Sequence, residues 1–356
     1  MSPLRHAQLL LRYACIAMTL AALVASFAWV AGWIRLPGAM PALSAARLID
    51  AFEGAGGKHP GFRRNHAKGI CVSGYFDSNG NGLALSRASV FERGRRTPLI
   101  GRFSAPGGNP SEDDALTTVR SFALRFEMSD GEEWRTGMNS APVFAVRTPQ
   151  AVYEQMEAMR PDARTGRPDP AKLDAFFARH PETNALRDWL ASHPPSSAFH
   201  DATYYSINAF RFTNAHGDTR FVRWSVAPWT PYAPSAARAN SAHDPDFLAH
   251  GLRSRLQKGP VSWRLMLTPA VPGDPADDAT RAWPPERELH RVDAGALVIT
   301  HAEAQIDGAC RDINFDPVVL PPGIAPSDDP LLAARSAAYA ESSSRRASEQ
   351  AHAKAR

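Results

Sequence analysis

The sequence predicts an α+β protein: an antiparallel β-barrel core with surrounding helices, preceded by one transmembrane helix. Three observations lead there. Short apolar and alternating segments follow one another between residues 70 and 127, separated by Asn-Gly and Gly-rich turns, as in strands that pair with their sequence neighbours. From Ala151 onward, segments with helical spacing alternate with further strand-like ones. Near the start, the uncharged run Tyr13–Ile34 is long enough to cross a hydrocarbon core of ~30 Å.

Composition narrows the class. The 356 residues are 44% apolar, enough for a sizeable core. The formal charge is only +4, and Lys and Arg are scattered. No zinc-finger, RNP or basic-heptad pattern accompanies them, so nucleic acid is not an expected partner. Thirty prolines predict long loops and short elements.

The chain divides into a cytoplasmic N-terminus (1–12), the anchor (13–34), a linker (35–47), a body (48–346) and a polar tail (347–356). Arg5 and Arg12 precede the apolar run and Trp29 and Trp33 lie near its end. The positive-inside rule and the interfacial preference of Trp then place the body on the periplasmic, extracytoplasmic side of a membrane. Residues 44–52 read as a short amphipathic helix. The stretch Gly61–Phe76 follows, with Ile70, Val72, Gly74 and Phe76 on one strand face. Asp77–Gly82 carries two Asn-Gly steps and reads as a hairpin. It lacks the acidic twelfth position of a calcium loop, which here is Ala88. Residues 86–92, 98–103 and 119–127 read as strands, and Asn139 stands just before another strand-like segment. Residues 151–159, 171–192 (broken at Pro181) and 244–258 read as helices. Residues 203–212 and 219–226 form a second hairpin around Asn214–Gly217. Residues 262–267 and 296–299 are further strands, and a final helix starts near Asp328.

Cys71 and Cys310 have no CxxC or metal spacing. Two readings stand: a disulfide, if the body meets an oxidising compartment, or two buried thiols.

Two local patterns carry chemistry. His66 sits at the mouth of an apolar strand with Arg63 upstream, which suggests an acid/base group over an anionic, mostly apolar cofactor. Arg335 and Tyr339 are four apart in the last helix and share a face. A guanidinium there favours the phenolate, a strong donor to ferric iron.

These patterns recur with others in a fixed order. They are Arg63–Gly69 (RRNHAKG) with Gly74–Phe76, Arg102–Ser104, Asn139–Phe144 (NSAPVF) and Asn208–Gly217 (NAFRFTNAHG). Asp278–Pro284, Asn314–Pro317, Leu320–Ile324 and Arg335–Tyr339 follow. Taken together, over roughly residues 48–346, the chain resembles the haem catalase superfamily, in its short catalase-related peroxidase branch.

The resemblance implies a catalase-like haem-binding fold and haem b, iron protoporphyrin IX, as cofactor. It implies that His66 is the distal acid/base, that Asn139 orients peroxide, and that Ser104 orients the imidazole. Tyr339 would be the axial ligand of the haem iron and Arg335 its activating partner. Arg63 and Arg102 would bind the propionates, with Arg346 a third candidate. The implied function is a haem-dependent peroxidase that reduces hydrogen peroxide or organic peroxides with small organic donors, with weak catalase activity. Alternatives are a hydroperoxide-rearranging enzyme of allene oxide synthase type and a non-catalytic haem carrier.

Several positions depart from the large catalases. Asn65 replaces an apolar residue, Ser140 a second Asn, Ala145 a second Phe, and Asn208 a proximal-side histidine. A more polar, less crowded pocket favours peroxidase over fast dismutation. The shorter branch implies a monomer or dimer instead of a tight tetramer.

Overall fold

The computed structural model describes residues 3–30, 43–235 and 244–354. Residues 1–44 and 45–356 form two separate compact units. The first contains helix α1, Pro3–Val30.

The barrel and surrounding helices are present; the expected transmembrane helix is not. No helix among the described residues is long and apolar enough to cross a membrane. The uncharged part of α1 starts at Tyr13. Within it Thr19 and Ser26 are polar and bond back to the carbonyls of Cys15 and Ala22. Residues 31–34, including Trp33, and most of the predicted linker lie outside the described residues. The membrane anchor, the membrane as partner and the extracytoplasmic placement fall with the helix.

The second unit runs α2 (Ala45–Gly56), β1 (Gly69–Ser78), β2 (Arg96–Ser104), β3 (Ser121–Glu127), β4 (Glu133–Asn139), α3 (Pro149–Met159), α4 (Pro170–Arg179) and α5 (Thr183–Ser192). It continues β5 (Tyr204–Tyr205), β6 (Phe210–Thr213), β7 (Thr219–Pro228), α6 (Phe247–Leu256), β8 (Val261–Pro269), β9 (Val292–Ala304), β10 (Ile324–Pro326) and α7 (Pro330–Lys354). Every pairing among these strands is antiparallel. In the order β7-β5-β4-β3-β2-β1-β9-β8, closed by β8 on β7, eight strands make a barrel, and β6 and β10 extend from β7. Closure removes the unpaired edges that an open sheet exposes.

Alternation fills the barrel. Phe103 on β2, Phe122, Leu124 and Phe126 on β3, and Trp134 and Met138 on β4 are buried in one apolar cluster with Trp224 and Trp263. Phe103 stacks on Phe122 with ring centroids 4.0 Å apart, and such aromatic pairs add roughly 0.5–1.5 kcal/mol beyond their burial. Gly74 is needed where β1 shifts register against β9. A Cβ there would lie 1.9 Å from the Val298 carbonyl oxygen.

Some local expectations differ from the structure. Residues 86–92 are not a strand but hold a 3-10 turn, Ser89–Phe91. Ser86 Oγ bonds the Gly323 carbonyl and takes the Ala88 N–H, turning the chain so that Val90 and Phe91 enter the core. Between β1 and β2 there is no tight hairpin, because the amides of Asn79 and Asn81 tie the loop to the Asp293 carbonyl. The predicted polar tail is helical through Lys354. Its Glu349 accepts from Gly61 N–H at 2.8 Å and pairs with Arg64, which also holds Glu53 of α2 at 2.7 Å.

Candidate active site

A strand that turns one residue inward turns the next outward. Phe103, Phe122 and Met138 point into the barrel, so Arg102 and Ser104, Ser121 and Ala123, and Gly137 and Asn139 line a cavity on its outer surface. Register aligns them: Gly69 pairs with Ser104, Ser104 with Ser121, and Ser121 with Asn139. The cavity encloses about 1300 Å³ of empty space, its open mouth included.

His66 stands at one end of this row. Its φ of +57° is left-handed, and Ile207, another cavity residue, has +67°. Such backbone costs a non-glycine residue of order 1–3 kcal/mol and persists only when the surroundings impose it. Here Asn65 Oδ1 accepts the N–H groups of both His66 and Gly107 at 2.9 Å, and Ala67 N–H reaches the Gly107 carbonyl. Ser104 Oγ lies 3.4 Å from His66 Nδ1. Burial first, then Arg102, Arg335 and Arg63, push the imidazole down to about 3, so it is neutral at ordinary pH. Ser121 Oγ donates to Asn139 Oδ1 at 2.7 Å. That bond orients the amide and leaves its N–H groups for other acceptors.

The facing wall is one face of α7. Leu331, Arg335, Ala338, Tyr339, Ser342 and Arg346 recur at helical spacing along the cavity. Arg335 Nη2 donates to the Tyr339 hydroxyl oxygen at 3.4 Å, and its Nη1 to Asn208 Oδ1 at 2.6 Å. Asn208 in turn donates to Asp329 Oδ2 at 2.7 Å, and Asp329 Oδ1 caps the helix at Leu331 N–H. Burial pushes the Asp329 carboxyl up, against these two bonds. Gly137 makes room: a Cβ there would be 3.0 Å from Arg335 Nη2 and 4.0 Å from the Tyr339 oxygen.

Arg63, Arg102 and Arg346 form a third group. Arg63 bonds the carbonyls of Cys310 and Ile313, and Arg102 those of His66 and Ala67 plus Gln305. Arg346 bonds the Arg311 carbonyl. Among the described residues lining the cavity there is no acid. Arg102 Nε and Arg346 Nε are buried without an acceptor. Burial and mutual repulsion push Arg63 well down and Arg102 to about 9, and burial pushes Arg346 down.

All eight residues singled out in the sequence therefore line one cavity: His66, Ser104 and Asn139 on the strand side, Arg335 and Tyr339 on the helix side, and Arg63, Arg102 and Arg346 around them. Cys71 and Cys310 are joined, with Cα atoms 5.3 Å apart. The bond fixes to β1 the loop whose carbonyls hold Arg63. Sequence reasoning missed Ser121, whose only local signal is its place one residue before an inward Phe. It also missed Asp329, which reads as an ordinary helix cap.

The family description "Catalase" matches residues 49–353. The catalase-related peroxidase of Synechococcus elongatus is 37% identical over 93% of this chain and 96% of its own length. That of Mycolicibacterium paratuberculosis is 32% identical over 84% and 94%. Catalase A from Saccharomyces cerevisiae superposes with a TM-score of 0.74 at 21% identity, over 81% of this chain and 62% of the yeast chain. Such large catalases thus share the fold, and this chain spans about three-fifths of their length. With matches running nearly end to end through the residues that line the cavity, the protein belongs to the catalase family, as a haem enzyme of its catalase/peroxidase type.

Proposed function

We propose that the protein is a peroxidase that uses haem b to reduce hydrogen peroxide or small organic peroxides at the expense of small organic donors. The observation that carries this reading is the pairing of two walls across one cavity. A neutral, serine-oriented imidazole and amide face a phenol held by a guanidinium.

The residues suit a haem. Three arginines that form no ion pair among the described residues, two of them buried with an orphaned Nε, match a pair of propionates, which guanidinium binds in bidentate fashion. The remaining walls are largely apolar, with Phe144, Val152 and Leu331 among them, as a porphyrin face requires. Tyr339 would ligate the iron through its oxygen, which Arg335 holds in place. When bound, haem supplies the redox-active iron at which peroxide is reduced.

The chain's own work is proton handling. With Nδ1 turned to Ser104, Nε2 of His66 is left to take a proton from one peroxide oxygen and return it to the other, so that water departs. Asn139 donates an amide N–H to the oxygen on which negative charge grows, and Ser121 keeps that amide from rotating.

The test is the absorption spectrum of the purified protein, followed by peroxide with and without a phenolic donor. The expected result is a haem band and donor-dependent peroxide consumption, both lost in Tyr339→Phe. An unaltered band and rate in Tyr339→Phe would sink the reading.

A further inference from the structure

Asn65 lines the cavity next to His66, and the protein itself uses only one end of its amide. Oδ1 accepts the N–H groups of His66 and Gly107, both at 2.9 Å. Only the oxygen of an amide can accept, so the side chain is fixed with its nitrogen turned away from these two donors. Neither N–H bond of Nδ2 has an acceptor among the described residues, and the atom is not sealed in the interior. The open space that Asn65 borders is the cavity itself. The same oxygen ties His66 to the 104–107 segment, whose Ser104 hydroxyl and Ala105 backbone hold the imidazole. Asn65 therefore cannot swing its N–H groups out of the cavity without loosening His66.

We propose that Asn65 is a third substrate-binding group beside His66 and Asn139, and that it selects acyl hydroperoxides (peroxy acids) by donating an N–H to their carbonyl oxygen. The assignment rests on the peroxidase reading and names the peroxide class for it. In that reading His66 and Asn139 already serve the two oxygens of the O–O bond. A peroxy acid brings a third oxygen close to that pair, whereas an alkyl hydroperoxide brings only carbon to the same place. Hydrogen peroxide is small enough to leave a water there. An alkyl group displaces that water and strands the N–H, which is how a polar site rejects an analogue lacking the matching group. The reaction balances: the O–O bond breaks, two phenolic donors each give one electron and one proton, and the peroxy acid becomes a carboxylic acid and water.

The experiment uses the haem-loaded protein, a phenolic donor in excess, and two peroxides of matched size, peroxyacetic acid and ethyl hydroperoxide, at mildly acidic pH where both are neutral. Peroxy acids are intrinsically the faster oxidants, so the quantity read is the change in the kcat/KM ratio, acid over alkyl, between variants. His66 serves both peroxides, so a disturbed imidazole cancels in that ratio. Asn65→Leu should lower the ratio about tenfold, and Asn65→Asp, which keeps an oxygen for the His66 and Gly107 N–H groups, should lower it about as far. If Asn65→Leu does not fold or load haem, Asn65→Asp decides alone. Calorimetric titration with acetohydroxamate, which has the skeleton of the peroxy acid without the O–O bond, should show binding that weakens about tenfold in either variant. A ratio unchanged in Asn65→Asp overturns the proposal, as does hydroxamate binding indifferent to residue 65. If hydroxamate binds through Asn65 yet the wild type reduces neither peroxide, the peroxidase reading fails and the substrate role goes with it.

Discussion

On the strand-built wall, His66 is held by the Ser104 hydroxyl and the Ala105 backbone, and Asn139 by the Ser121 hydroxyl, all neutral groups, while on the helix-built wall Tyr339 stands at the end of a chain of charged and amide groups. That chain passes through Arg335 and Asn208 to the buried Asp329. Under the proposed peroxidase function, the contrast follows from what each wall would do. A group that accepts and returns a proton needs a fixed direction and a mobile charge, so a hydroxyl suffices. The Arg335 guanidinium that donates to the phenol is a cation in a partly buried place, and such a cation needs its own partners.

The contrast can be broken most severely at His66. His66→Gln removes the imidazole proposed to carry the proton and should lower peroxide turnover about 10²–10⁴-fold with the haem spectrum retained, read by stopped-flow. The same variant sharpens the picture through pH. The folded imidazole, at about 3, lies below the unfolded value of ~6.5, so between those limits the unfolded chain binds one more proton. Native stability is full above pH 6.5 and falls as pH drops toward 3. Melting curves of the cofactor-free protein should show a shallower fall in His66→Gln, and parallel curves would refute it.

The helix wall should respond in stability. Asn208→Leu strands the Arg335 Nη1 donor and an Asp329 oxygen in the interior and should cost about 1–3 kcal/mol in urea unfolding. An unchanged midpoint would show that the chain of contacts is incidental. The smallest effect is expected at Ser121→Ala, where losing one neutral hydrogen bond is worth about 0.5–1.5 kcal/mol. That corresponds to a roughly two- to tenfold lower kcat with KM nearly constant. A loss as large as that of His66→Gln would mean that the strand wall is as cooperative as the helix wall.

Much of this was legible in the sequence. Arg335 and Tyr339 share a helix face by spacing alone, and the strands of the barrel carry period-two alternation. What alternation does not tell is which face turns inward. His66 and its partners lie on the outside of the barrel, a fact that only closure of β8 on β7 decides. β4 was overlooked because Glu133, Arg135 and Asn139 occupy its outward positions and hide the inward Trp134 and Met138. The 86–92 segment misled in the opposite direction, since its apolar residues are core residues on a 3-10 turn. The N-terminal run was read as a span from its lack of charge, and no helix among the described residues is long and apolar enough to cross a membrane.

The link between Cys71 and Cys310 closes a ring over a sequence separation of 239 residues. In the chain-entropy picture, a loop of that size denies the unfolded ensemble about 5 kcal/mol of conformational freedom. The ring contains Arg102, Ser104, Asn139 and Asn208, while His66 leaves it on one free arm and Tyr339 on the other. Both arms start from the same covalent point, so the imidazole and the phenol are delivered to opposite sides of the cavity from a shared origin. Synthesis has a consequence too: until Cys310 has emerged the ring stays open, so the cavity is among the last parts of the molecule to be locked.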